Sequence, residues 1–198
     1  MDHVVYITAA IVAVPGALLS GILIFNLIRP SGFWPADPDW RRDLTLWLFR
    51  AYAFGMVGVA GVALWVWGLG QWPRYAIGLP MMGGAYALSL WAYKGLGKDN
   101  TYFGSDGLVT GGLYAYSRNP GYVASLAAAL GLAVVAGSVI VLALAGGLLA
   151  IYFLFALNEE RWLAKGYGTA FLRYMVDTPR FVDARTVARA REDLLARL

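Results

Sequence analysis

The sequence predicts an all-α integral membrane bundle of five transmembrane helices with a cytoplasmic C-terminal helical extension. Three observations carry that prediction. Of 198 residues, 60% are hydrophobic and only 14% charged, a balance far from that of a soluble domain. Several uncharged runs are long enough to cross a bilayer. The basic residues fall almost entirely on one side of the resulting map.

The first span is Val4 to Ile28, 25 residues without a charge. At 1.5 Å per residue it covers a hydrocarbon core of ~30 Å. No Lys or Arg precedes it, so it reads as a span and not as a secretory leader. A second span covers residues 46–70, with Arg50 near enough to its start to snorkel. A third covers 75–93, and the intervening "QWP" allows only a tight turn. Val123 to Leu157 then runs 35 residues with no charge and two serines. As one helix it would be about 52 Å long, more than tilt absorbs, so it must fold into a hairpin. The break is expected near "AGS", Ala136 to Ser138, with "AGG" at Ala145 to Gly147 as the competitor. The last two spans are then 123–137 and 139–157, and residues 158–198 form the tail.

On this map Arg74 stands alone in the second link. Arg29, Arg41, Arg42, Arg50, Lys94, Lys98, Arg118 and the eight basic residues of the tail lie on the other side. The positive-inside rule puts the amino terminus outside and the tail in the cytoplasm. Tryptophans and tyrosines near span ends read as interfacial anchors, and Gly55, Gly58, Gly61, Gly131, Gly146 and Gly147 as points of close helix packing. No internal repeat or low-complexity linker divides the chain, so residues 1–198 are expected to form a single domain.

Composition also excludes chemistry. With no cysteine and a single histidine, the chain has no thiol nucleophile, no disulfide and no His/Cys metal cluster, so no metal is expected. The net charge of +4 is spread between and after apolar spans and makes no nucleic-acid strip. Span interiors are almost free of ionisable groups, which disfavours an ion pump or a carrier of charged solutes. The "KGLGK" at Lys94 to Lys98 fails as a phosphate loop: Ala92 stands where its first glycine belongs and Asp99 where Ser or Thr belongs.

Polar residues gather in two cytoplasm-facing segments. In "SRNPGY", Pro120 pushes Asn119 out of the helical region and opens the fourth span. Read alone, this is equally a helix start with a snorkelling Arg118 and an interfacial Tyr122, or a ligand site. After the hairpin comes "NEERWLAKGYGTAFLRYMVDTPRF", in which Leu163, Tyr167, Phe171 and Tyr174 recur at helical spacing. Glu159 and Glu160 point about 100° apart on a helix, so one can face a pocket while the other pairs with Arg118 or a tail arginine. A solvated charged cap is the plainer alternative for the acidic pair.

Together these segments resemble the isoprenylcysteine carboxyl methyltransferase and phospholipid methyltransferase superfamily. The resemblance covers Gly107 to Phe181 and lies in the order of parts: "GLVTGGLYAYSRNPGY", a helical hairpin, an "EExxL", an aromatic-glycine pair and a "PRF" end. It implies an integral membrane enzyme that uses S-adenosylmethionine to methylate a lipophilic small-molecule or lipid substrate at the cytoplasmic face. Arg118, Pro120 and Tyr122 match the Arg-x-Pro-x-Tyr turn of the family, Gly112, Leu113 and Tyr114 its cofactor loop, and Glu159 and Glu160 its acidic pair. Asn119 replaces the histidine of eukaryotic members, as in bacterial relatives, which implies a bacterial inner membrane. An amide still hydrogen-bonds but cannot act as a base. The resemblance makes Gly112, Leu113, Tyr114, Arg118, Asn119, Pro120, Tyr122, Glu159 and Glu160 the cofactor-binding set. It makes Glu160, Tyr122 and Arg173 the catalytic candidates.

Two other readings compete: an NADPH-dependent membrane reductase of the sterol-reductase type, which has a similar Arg-x-x-x-Tyr turn, and a non-enzymatic membrane scaffold. The methyl acceptor, whether carboxylate, amine or thiol, is left open. The terminal "DARTVARAREDLLARL" reads as an amphipathic helix lying on anionic membrane lipid or on a neighbouring subunit of a homo-oligomer.

Overall fold

The computed structural model describes residues 1–70, 72–97 and 107–196. Lys98 of the "KGLGK" run and Arg197 and Leu198 of the terminal run lie outside the described residues. The described residues form seven α helices and one 3-10 turn, with no strand. The helices are α1 (Asp2–Ile28), α2 (Trp40–Trp67), α3 (Pro73–Leu96), α4 (Pro120–Ala136), α5 (Val139–Tyr167), α6 (Thr169–Asp177) and α7 (Ala184–Leu195), and the 3-10 turn is Gly112–Ala115.

Among the described residues α1, α2 and α5 are long and apolar enough to cross a membrane. The 17-residue α4 is apolar but shorter, and α3, interrupted by Pro80 and rich in glycine, is not among the three. Ile7, Ile11, Val14 and Leu18 form an exposed stripe along α1, as a lipid-facing surface requires. α2 begins at Trp40, ahead of the expected Leu46, because Asp39 caps it: Oδ1 accepts from Arg41 N at 2.8 Å. Arg50 therefore lies well inside the helix.

The hairpin breaks at Gly137, within "AGS"; the competing "AGG" is uninterrupted helix in α5. Gly137 has φ +59 and faces Arg74, whose Nη1 stands 2.2 Å from where a Cβ would sit, so only glycine suits the position. Ser138 then caps α5, its Oγ accepting from Val141 N at 3.3 Å. At the other end, the expected continuous helix through Phe171 and Tyr174 is interrupted. Gly168, with φ +53, ends α5 and starts α6.

The chain divides into two compact units, Met1–Ala85 with Leu126–Glu159 and Tyr86–Ser125 with Glu160–Leu198. In the first unit the Tyr52 ring fills a gap left by glycines. A Cβ on Gly16 would stand 2.5 Å from the ring, and one on Gly147 would stand 2.2 Å from the phenol oxygen. That hydroxyl donates to Leu144 O at 2.6 Å, which satisfies it in an apolar setting. In the second unit Ser89 and Ser125 share a hydrogen bond of 2.8 Å, and a Cβ on Gly121 would press on the Tyr93 ring at 3.1 Å. This close approach fixes the start of α4, where the polar turn enters.

Candidate functional site

The second unit builds its polar centre from three short pieces of chain. The first is the 3-10 turn, in which Gly112 takes φ +59 and Leu113 O accepts from Tyr116 N and Ser117 N at 3.1 and 3.3 Å. Tyr114 is buried, and its carbonyl accepts the Tyr174 hydroxyl at 2.6 Å. Burial pushes the Tyr174 pKa up, so the phenol is a structural tie and not a base at neutral pH.

The second piece is Ser117 to Tyr122. Pro120 occupies the first position of α4, where its missing N–H costs nothing, and Asn119 O accepts from Val123 N at 3.1 Å. The buried Ser117 hydroxyl accepts from Asn119 N at 3.1 Å. The third piece, Thr178 to Arg180, runs beside it: Arg118 N donates to Pro179 O at 2.8 Å, and Asn119 Nδ2 donates to Arg180 O at 3.0 Å.

These backbone ties place two guanidinium groups on one carboxylate. Arg118 Nη2 donates to Glu160 Oε1 at 2.6 Å. Arg180 grips the same carboxylate through Nε to Oε1 at 2.8 Å and Nη2 to Oε2 at 2.7 Å. Arg118 Nη1 also donates to Met175 O and Thr178 O, at 3.0 and 2.9 Å. Those carbonyls close the C-terminus of α6, where the helix dipole favours a cation. The Arg118 and Glu160 side chains are only 8% and 10% exposed, and that of Arg180 is 28% exposed. The hydrogen bonds to Glu160 raise the Arg180 pKa further, so that guanidinium stays charged.

Two guanidinium groups thus meet on one carboxylate. Arg118 Nε is buried with no hydrogen-bond partner among the described residues. A buried donor left without a partner is costly unless an acceptor completes it.

Glu159 belongs to the first unit and serves a different network. Its Oε1 accepts Trp34 Nε1 at 3.0 Å. Trp34 O accepts Asn26 Nδ2 at 2.6 Å, and the same Nδ2 reaches Asn158 Oδ1 at 2.8 Å. Asn26 Oδ1 takes Ser31 N and Ser31 Oγ, each at 2.9 Å, while Asn158 Nδ2 donates to Leu154 O and Leu23 O at 2.8 and 3.3 Å.

The second unit thus contains Gly112, Leu113, Tyr114, Arg118, Asn119, Pro120, Tyr122 and Glu160, with Tyr122 half-buried on the first turn of α4. Arg173 is exposed on α6 and bonds to none of them among the described residues. Arg180 is the residue that sequence reasoning did not single out, although it is the arginine of the "PRF" end. The expectation that one glutamate pairs with Arg118 or a tail arginine is met by Glu160 with both at once.

Fold and site together define an all-α, membrane-compatible chain whose buried polar centre is assembled around an Arg-x-Pro-x-Tyr turn. Residues 73–170 match the model of the phospholipid methyltransferase family. The match spans the turn, the hairpin and both glutamates and stops short of Arg173 and Arg180. Neither a curated protein nor a solved structure matches the chain. The matched segment thus joins a methyltransferase family model to a chain with three helices long and apolar enough to cross a membrane among the described residues.

Proposed function

We propose that the chain is an S-adenosylmethionine-dependent methyltransferase acting on a lipophilic or amphiphilic acceptor at the cytoplasmic membrane face. The observation that carries this is the Arg118–Glu160–Arg180 cluster, in which the buried Arg118 Nε has no hydrogen-bond partner among the described residues. The methyl donor of this family has a carboxylate and an ammonium at its amino-acid end, and the residues present fit that pair. Arg118 supplies the cation and open donor for the carboxylate. Glu160 Oε2, which accepts only Arg180 Nη2 among the described residues, has acceptor capacity for an ammonium. When bound, the donor supplies an electrophilic methyl group on a sulfonium.

The remaining work falls to the chain. Arg118 is locked by two α6 carbonyls and its own backbone bond, so it presents a fixed charge with little reorganisation. Gly112 lets the backbone of the 3-10 turn approach a ligand, buried Tyr114 fixes that turn through its carbonyl, and half-buried Tyr122 offers a flat face for an adenine. Asn119 completes the proposed binding set by hydrogen bonding alone. Arg173, exposed on its helix, is assigned to the acceptor's head group. We further read residues 1–198 as one functional domain with five spans, α1 to α5, in a bacterial inner membrane, the amino terminus outside. The solitary Arg74 in the second link supports that orientation.

The test is calorimetry on detergent-purified protein with S-adenosylhomocysteine, the demethylated product. Binding is expected, and Arg118→Ala is expected to weaken it roughly 10- to 100-fold, as loss of a charged hydrogen-bonding partner does. Thermal protection by NADPH and not by S-adenosylhomocysteine would instead establish the reductase. Incubating lipid extracts with isotopically labelled S-adenosylmethionine then identifies the acceptor by mass spectrometry.

A further inference from the structure

The C-terminal helix α7 has one face tied down and the opposite face uncovered. Asp183 caps it, accepting from Arg185 N at 2.8 Å. Thr186 Oγ1 donates to Tyr116 O at 2.8 Å, and the Tyr116 hydroxyl donates to Asp193. Thr186 and Asp193 are seven residues apart and share a face, so α7 is latched along that face to the turn that leads into Arg118. No residue of α7 is fully buried.

At 100° per residue, Leu194, Val187, Arg191, Ala184 and Leu195 occupy the arc from roughly 80° to 180° away from Thr186. Val187, Leu194 and Leu195 are 65%, 62% and 59% exposed. The arc contains a cation and no acid. Arg189 and Arg191 form no ion pair among the described residues, unlike Arg185, which is paired with Asp183 at 2.8 Å.

We propose that this face of α7 docks on an anionic phospholipid surface. The chain carries helices able to cross a bilayer, so such a surface is always within reach. An arginine inside an apolar arc fits a membrane interface, where its stem lies along acyl chains and its guanidinium meets phosphate. A second copy of this chain is a poorer occupant: pairing two such faces would bury Arg191 of each copy with no carboxylate in the arc to receive it. Because the latch residues join α7 to Tyr116, a lipid-docked α7 also steadies the 3-10 turn. That consequence for ligand binding rests on the function proposed above; the docking itself does not.

The cysteine-free chain allows a direct test. Full-length Leu194→Cys protein, labelled with an environment-sensitive fluorophore, is reconstituted one chain per nanodisc in phosphatidylcholine alone or mixed equally with phosphatidylglycerol. In the anionic discs the emission is expected to shift to the blue and to be quenched by brominated acyl chains, and a Glu192→Cys probe is expected to stay aqueous. Arg191→Glu, checked for an unchanged thermal transition, is expected to abolish the shift. An aqueous Leu194 probe in both discs overturns the proposal. So does a shift that appears only with two chains per disc, which would make a second copy the occupant.

Discussion

Glu159 and Glu160 are neighbours on one helix, yet they serve networks built on opposite logic. Glu159 accepts an indole N–H at the edge of a network of neutral amides, in which Asn26 and Asn158 use each other and five backbone carbonyls and amides. Such a network completes itself, and its product is order: it fixes the Ser31–Trp34 stretch to the ends of α1 and α5. Glu160 is held by two arginines, and the Arg118 Nε donor is left buried and unused among the described residues. The difference separates scaffold from site: satisfied polar groups hold a fold together, and unsatisfied ones wait for a ligand.

The largest expected effect breaks the charged side. Glu160→Ala leaves the buried Arg118 guanidinium beside that of the part-exposed Arg180, and loss of one partner of a buried pair costs about 3–5 kcal/mol. A large fall in thermal stability and loss of S-adenosylhomocysteine binding are expected together, the first by scanning calorimetry and the second by titration. Next comes the neutral side. Asn158→Ala removes an acceptor from Asn26 and is expected to cost about 1–3 kcal/mol of stability. At a temperature where the variant is folded, ligand affinity should match that of the parent. If Asn158→Ala weakens ligand binding as much as Arg118→Ala does, the contrast between the two networks collapses. Smaller still is Glu159→Gln, which keeps an oxygen for Trp34 Nε1 and should change stability by about 1 kcal/mol or less.

Which parts of this were readable in advance follows from what each depends on. The helical character and the break at Gly137 depend on apolar run length and on one glycine flanked by a capping serine, and both are local. The pairing of Glu160 with an arginine was legible because a partly desolvated carboxylate must have a partner and the hairpin returns it to the polar turn. Arg180 was hidden because its placement depends on backbone bonds from Arg118 N and Asn119 Nδ2 to the carbonyls of Pro179 and Arg180, and carbonyls leave no mark on sequence. The Asn26–Trp34–Glu159 chain joins residues more than a hundred positions apart, beyond any spacing rule. Gly168 was visible as a letter, but the helical period of Leu163, Tyr167, Phe171 and Tyr174 continues across it, so the pattern masked the break.

The mildest prediction sharpens the comparison by moving the same ion pair into solvent. Asp183 and Arg185 meet at 2.8 Å with side chains 42% and 47% exposed, against 10% and 8% for Glu160 and Arg118. The Arg185 side chain holds the Asp183 carboxyl below its ordinary value of 3.8. Because folding lowers this pKa, the carboxylate stabilises the start of α7 at and above that ordinary value, and the contribution is lost as pH falls through the lowered one. Amide hydrogen exchange over residues 183–195 should therefore be steady, after correction for intrinsic rates, from neutral pH down to about 4. Below that, protection should fall, while Asp183→Asn, which keeps a capping oxygen but has no charge to lose, should show no such step. Exposure makes this pair a minor term. A step in protection as large as that produced by Glu160→Ala would mean that burial is not what distinguishes the site, and the contrast drawn between the two networks would need a different cause.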